Sequence, residues 1–175
     1  MNKNHIPFAT ATSIYDIDVS FYKKLGVKTI LIDLDNTLDS YKVDLPSERA
    51  KDFVKMLKDN KIELIIVSNN YHSRVKAYAD ALDIHMTSMN LKPFPFKINR
   101  LLKEKGLKKE ETILIGDQLL TDILAGNRAG LKTILVDPLT KDDQNFTRVR
   151  RKFERPKLKK LRDKELLRDW RTINE

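Results

Sequence analysis

The chain has no cysteine. That excludes a disulfide framework, thiolate catalysis and a zinc–thiolate site. No apolar run approaches the ~18 residues that a membrane-spanning helix needs. The opening residues, Met1-Asn2-Lys3-Asn4-His5-Ile6-Pro7, lack the apolar core of a signal peptide, so a cytoplasmic protein is expected. Histidine is scarce, and His5, His72 and His85 are scattered without ligand spacing, which argues against a histidine-held metal. Internal repeats and low-complexity tracts are also absent.

What is present describes an ordinary globular chain with a charge-rich surface. Of 175 residues, 41% are apolar and 34% charged, enough for one core and one domain. The formal net charge is +9, which invites an anionic partner.

Residues 1–27 read as an N-terminal arm packing on the core, with a short helix ending at Gly26. Residues 28–140 form the core, and 141–175 a basic C-terminal extension. In the core, short β-branched runs alternate with amphipathic stretches. Lys28 to Ile32, Ile62 to Val67, Thr112 to Ile115 and Lys132 to Val136 read as buried strands, with a weaker one near Ile84-His85-Met86. Between the first two, a helix from about Pro46 to Asn60 carries Ala50, Phe53, Val54 and Leu57 on one stripe. Further helices are expected over about Ser73–Leu82 and Phe96–Lys105, and after Asp117. Strand and helix alternate with short connections, which predicts a doubly wound, Rossmann-like α/β sandwich around a parallel five-stranded sheet.

Three of these strands end on polar groups. The first runs into Asp33-Leu34-Asp35-Asn36-Thr37, the second into Ser68-Asn69-Asn70, and the third into Gly116-Asp117. A buried strand has no packing reason to end on two carboxylates, which repel each other unless a cation or hydrogen bonds compensate. Strands of a parallel sheet all end at one edge, where ligands bind. Each feature alone has an ordinary explanation. Asp33, Asp35, Asp117 and Asp122 suit turns and helix starts, Ser68 suits a helix cap, and Lys92 could be a solvated lysine with Lys97 as its rival. Asp16 and Asp18 repeat the Asp-x-Asp spacing but follow no buried strand, and they read as helix-start chemistry.

Taken together, the motifs resemble those of the haloacid dehalogenase-like (HAD) superfamily. Asp33-Leu34-Asp35-Asn36-Thr37-Leu38 matches the first, Ser68 the second, Lys92 in Leu91-Lys92-Pro93 the third, and Gly116-Asp117-Gln118-Leu119-Leu120-Thr121-Asp122 the fourth. The match covers about residues 28–136. With Ser13 to Asp18 upstream and Gly126-Asn127-Arg128 downstream, it is similar to the YqeG-type branch of subfamily IIIA. That branch includes mitochondrial phosphatidylglycerophosphate phosphatases.

The resemblance implies a magnesium-dependent phosphomonoester hydrolase. Asp33 would be the nucleophile that forms an aspartyl-phosphate, and Asp35 the acid–base group. Mg2+ would be held by Asp33, the backbone carbonyl of Asp35, and Asp117, with Asp122 in support. Thr37, Ser68, Asn69 and Lys92 would bind phosphate. The implied substrate is phosphatidylglycerophosphate, giving phosphatidylglycerol and phosphate. A nucleic-acid end, a phosphoprotein or a soluble metabolite is the alternative within phosphatases. Neither Leu38–Lys61 nor Asn70–Leu91 has room for the inserted cap domain that many such enzymes carry. An open site suits a phosphate displayed on something large, or closure by a second subunit of an oligomer.

The charge is concentrated after the core. Between Arg148 and Lys164 there are ten cations and two acids, which is +8 of the total +9. This stretch could meet an anionic membrane as a peripheral contact, meet RNA or a ribosome, or stay solvated. Only Phe153 interleaves it with an aromatic ring before Trp170, which argues against base stacking.

Overall fold

The computed structural model describes residues 3–140 and 145–173. Strands β1 (Ala9–Ala11), β2 (Thr29–Ile32), β3 (Glu63–Val67), β4 (His85–Thr87), β5 (Thr112–Gly116) and β6 (Lys132–Val136) form one sheet in the order β1-β6-β5-β2-β3-β4. Every neighbouring pair is parallel. The chain builds outward from β2 to β3 and β4, then crosses back to β5 and β6. The switch of direction therefore lies beside the carboxyl end of β2, where open α/β sheets bind ligands.

The sheet has six strands rather than the expected five. The extra one, Ala9-Thr10-Ala11, lies in the N-terminal arm and pairs with Ile134, Leu135 and Val136. Three small residues carry no β-branched run and no readable period, so its place comes from β6 and not from its own propensity. Its outer edge is covered, as sheet edges commonly are. The Thr10 amide donates to the Arg168 carbonyl at 2.8 Å, and Trp170 packs edge-on against Phe21 at 5.5 Å.

Alternation along the strands divides the core into two faces. Ile30, Ile32, Ile66, Ile113 and Ile115 pack with α1 (Val19–Lys24), α2 (Glu48–Asp59) and α3 (His72–Leu82). Leu31, Ile65, Val67 and Leu114 pack on the other side with α4 (Phe96–Glu104) and α5 (Leu124–Ala129). This is a three-layer sandwich. Local signals set the helix starts. The Ser47 hydroxyl accepts from the Ala50 amide, so Pro46 sits just before the cap and not in the first turn. Asp18 caps α1 through the Ser20 amide. Between β2 and β3 the chain holds only α2, and between β3 and β5 only α3, β4, α4 and a single 3₁₀ turn. No inserted domain lies over the carboxyl edge.

The C-terminal extension is built into the fold. Its helix α6 (Asn145–Asp163) places Leu161 in a small cluster with Leu119, Ile123 and Leu135, flanked by Leu158, Leu166 and Leu167. Glu154 on the same helix is only 2% exposed and accepts from the Leu120 amide at 2.8 Å. Burial pushes its carboxyl up from 4.5 to about 7. A raised carboxyl pKa means that the fold favours the protonated form, so this contribution is full below 4.5 and is lost as pH rises through about 7. Glu154→Gln keeps an acceptor for Leu120 and removes the titration. Its melting temperature should lose the part of the pH dependence between 4.5 and about 7 that Glu154 supplies. Thermal melts across that range test this, and superimposable profiles of parent and variant would refute it.

Candidate active site

The site is assembled where β2, β3 and β5 end side by side. Asp33 is the residue after β2, and its amide still donates to the Ile115 carbonyl at 3.0 Å. Its carboxylate is therefore fixed on the sheet ladder rather than on a mobile turn. Asp117 follows β5 in the same way. The chain then makes one π-helical turn, Leu119–Ile123, which returns Asp122 over Gly116. A Cβ on Gly116 would lie 2.3 Å from the Asp122 Cβ. Any side chain there would displace Asp122, which is the physical reason for glycine before Asp117.

Lys92 arrives from the loop after β4, and two asparagines hold it in place. Asn90, buried, donates from its amide and its side chain to the Ser68 carbonyl at 3.1 and 2.8 Å. Asn69 accepts from the Lys92 amide at 2.8 Å and donates to the Lys92 carbonyl at 3.1 Å. Both ends of the Asn69 carboxamide thus hold the Lys92 backbone, and the side chain expected on phosphate is occupied as a clamp. The Lys92 ammonium donates to Asp33 at 2.6 Å, Asp122 at 2.5 Å and the Val67 carbonyl at 2.8 Å. Its three hydrogens are all used.

These groups are almost fully buried: Asp33, Asp117, Asp122 and Lys92 are 6%, 4%, 1% and 6% exposed. Burial raises the Asp33 carboxyl well above the usual range; Lys92 opposes that rise, and Asp122, Asp117 and Asp35 add to it. Burial, with Asp122 beside it, likewise pushes Asp117 up to about 6. Burial alone would lower the Lys92 ammonium, but Asp122 and Asp33 outweigh it and hold the pKa above the ordinary lysine value.

Oxygens of Asp33, Asp117 and Asp122 lie within 4.8 Å of one another. This is a set of hard donors, which suits magnesium and other oxygen-preferring cations. An arginine already neutralises one of them. Arg151, from α6, places its guanidinium 2.6 Å from Asp117 Oδ2, and Thr37 donates to Asp117 Oδ1 at 3.3 Å. Three carboxylates against two cations leave one net negative charge, so the residues present fit a divalent ion.

The Asp35 side chain stands outside this carboxylate cluster. Its carboxylate accepts from Arg74 at 2.8 Å and from Asn70 at 3.0 Å. Of the Asp35 groups, the backbone carbonyl remains the ligand that the resemblance implies. The Ser68 hydroxyl accepts from the Asn70 amide at 3.1 Å and keeps its own hydrogen to donate. Ser68 caps no helix, since α3 is preceded by Tyr71. Lys97 donates to the Ser88 carbonyl at 3.2 Å, so Lys92 and not Lys97 occupies the site.

Sequence reasoning did not select Asn70, Arg74, Asn90 or Arg151. Asn70 and Asn90 lie two residues from Ser68 and Lys92, and spacing alone could have raised them. Arg74 sits in the first turn of α3. Arg151 is one of ten cations in its stretch, with nothing in the pattern to distinguish it. The side chains of Arg148 and Arg150 lie outside the described ones, so the expected charge run is only partly described. Lys152, Arg155, Lys157 and Lys160 within it are exposed. Among the described residues, no helix is long and apolar enough to cross a membrane.

Comparison with known proteins agrees with this geometry. The family of haloacid dehalogenase-like hydrolases matches residues 30–91, and a HAD-hydrolase-like family matches residues 91–147. The chain is 38% identical to the probable phosphatase YqeG of Bacillus subtilis over 94% of its length and 95% of that protein. It is 27% identical to the chloroplastic/mitochondrial phosphatidylglycerophosphate phosphatase 1 of Arabidopsis thaliana, over 81% of this chain but 43% of the plant protein. In fold it is similar to the cobalt-bound deoxy-D-mannose-octulosonate 8-phosphate phosphatase of Haemophilus influenzae. There the TM-score is 0.50 at 18% identity, covering 66% of this chain and 81% of the other.

Proposed function

The chain belongs to the haloacid dehalogenase-like hydrolases and is a phosphatase, and from that premise we propose that it cleaves a lipid-borne phosphomonoester through an aspartyl-phosphate on Asp33. The observation that carries this reading is the Lys92 ammonium bridging Asp33 and Asp122 at the mouth of the sheet.

A phosphate monoester repels an anionic nucleophile, so positive charge must be in place before attack. Lys92 supplies it from below and fixes one oxygen of Asp33, leaving the other to attack phosphorus. The leaving alkoxide departs as Asp35, which has to enter this step in its protonated form, gives it a proton. Asp35 then takes a proton from the water that cleaves the acyl-phosphate. Arg74 and Asn70 hold the Asp35 carboxylate for both steps. Ser68, whose hydroxyl keeps its hydrogen, binds a phosphoryl oxygen, and Thr37 would join it on releasing Asp117. Magnesium, when bound, would be held by Asp33, the Asp35 carbonyl and Asp117 with Asp122 in support, and would neutralise charge on the phosphoryl group.

The substrate class follows from the open edge. Without a cap, the site accepts a phosphate still attached to a large body, and the plant relative is named for phosphatidylglycerophosphate. The exposed cations of α6 would meet the anionic surface around such a headgroup. Turnover of detergent-solubilised phosphatidylglycerophosphate, compared with p-nitrophenyl phosphate and nucleoside monophosphates, tests the assignment. A higher kcat/KM on the lipid is expected. Turnover confined to the soluble esters would remove the lipid from the reading and leave the phosphatase.

Chelation gives a second test. EDTA should stop turnover and Mg2+ restore it. Asp117→Ala should raise the magnesium concentration needed for half-maximal rate by roughly tenfold or more, because a hard ion loses a charged ligand. Undiminished turnover in excess chelator would exclude the metal.

A further inference from the structure

We propose that the carboxyl edge of the sheet is a docking face for an anionic bilayer, formed by a rim of exposed apolar side chains around the site. The proposal rests on the lipid-phosphate reading and adds the surface that would deliver the substrate.

Of the eight large apolar side chains that are exposed among the described residues, six lie in the connections that leave this edge or at the helix start that follows one. Leu45 is in the connection after β2, and Tyr71, 74% exposed, is in the one after β3. Met89, Leu91 and Phe94 lie between β4 and α4, and Phe96, 75% exposed, opens α4. Phe94 and Phe96 stack with ring centroids 6.3 Å apart. Val149 and Phe153 add two exposed apolar side chains on α6, each two residues from Arg151, which reaches Asp117. Scattered surface apolar groups need no explanation, but their concentration at one edge does.

Charge identifies the occupant. No Asp or Glu occurs from Ile84 to Lys103. On α6, Glu154 is the sole acid before Asp163, and it is buried. What these segments expose beside the apolar groups is positive. Lys97 and Lys152 are exposed, and Arg128 donates to the Pro93 carbonyl at 3.1 Å. Along the β4–α4 connection and α6, aromatic and aliphatic groups flanked by cations match the headgroup–acyl boundary of an anionic membrane, while Leu45 sits between the exposed Asp44 and Glu48.

The test measures docking apart from chemistry. The full chain is centrifuged with vesicles of phosphatidylcholine alone and of equimolar phosphatidylcholine and phosphatidylglycerol. The parent should bind only the anionic vesicles. The variant Phe94→Ser/Phe96→Ser/Phe153→Ser should lose about tenfold or more of that binding, since each ring forfeits its burial at the interface. Its turnover of p-nitrophenyl phosphate should stay within about twofold of the parent, because none of the three rings belongs to the catalytic set. A parent that ignores anionic vesicles overturns the docking face, as does a variant that binds like the parent. A parent dimer that falls apart in the variant, with no vesicle binding in either, would assign the rim to a second copy and overturn it too. Retained vesicle binding with no turnover of phosphatidylglycerophosphate would leave the docking face standing and remove the lipid substrate.

Discussion

Asp33→Asn should lower kcat by roughly 10⁴-fold or more, the scale on which removal of a catalytic nucleophile acts, and should leave the fold at least as stable as the parent. The first half follows from position. Asp33 ends the central strand, with its amide on the β5 ladder and one carboxylate oxygen on Lys92. No other aspartate takes its place, because Asp117 is held by Arg151 and Asp122 by Lys92 and the Gln118 amide. The second half follows from electrostatics. Asp33 is buried beside three other carboxylates, and its ionised form is disfavoured by burial above all. Asparagine removes one buried negative charge from a cluster that holds one too many, and its side-chain oxygen still accepts from Lys92. A buried charge that is poorly compensated destabilises a fold, so its loss should be neutral or stabilising. Steady-state kinetics and a thermal melt on the same preparation test both halves. Phosphate should be trapped on Asp33 in the parent and be absent from the variant. Retained turnover in Asp33→Asn would overturn the mechanism. A large fall in melting temperature would show that the carboxylate is a structural group.

The parts of this site that were legible in the sequence are those set by strand ends. A short β-branched run that stops at a polar group is a local pattern, and β2, β3 and β5 each carry it, into Asp33, Ser68 and Asp117. Helix stripes and the Asp18 cap were legible for the same reason, since Asp18 acts on an amide two residues away; the Ser47 cap of α2 was not read, because Pro46 before it looked like the first turn. What escaped depends on distant partners. β1 is a strand because β6 offers it an edge. Asn69 chooses the Lys92 backbone because the loop after β4 passes close to it. Arg151 reaches Asp117 only because Glu154 and Leu161 seat α6 on the π-helical turn. The same stretch of sequence, read as a uniform run of charge, contains one arginine in the site, one buried acid and a set of exposed cations. Composition cannot separate these roles.

Lys92→Met should damage stability and activity together, and the two effects should respond differently to pH. Methionine has a similar length and is apolar, so the loss is one of charge and hydrogen bonds more than of volume. The Lys92 ammonium serves Asp33, Asp122 and the Val67 carbonyl at once, with its side chain 2% exposed. Without it, Asp33 and Asp122 remain buried with the Arg151 guanidinium as the nearest cation, and the Val67 carbonyl loses a donor. Breaking a buried ion pair from one side costs about 3–5 kcal/mol. The carboxylates can escape part of that cost by protonation. The Asp33 carboxyl, already raised by burial, then rises further, and a raised carboxyl pKa gives stability that is present at acid pH and lost as pH increases. Chemical denaturation should therefore find parent and variant closest at low pH and furthest apart above neutrality. Mg2+ should raise the melting temperature of Lys92→Met more than that of the parent, because an added cation meets a more negative cluster. Turnover should stay very low even at saturating Mg2+, because the attacking carboxylate has lost the group that orients it and the phosphoryl oxygens have lost their fixed charge. If Lys92→Met were as stable as the parent throughout the alkaline range, Lys92 could not be the charge that holds these aspartates together.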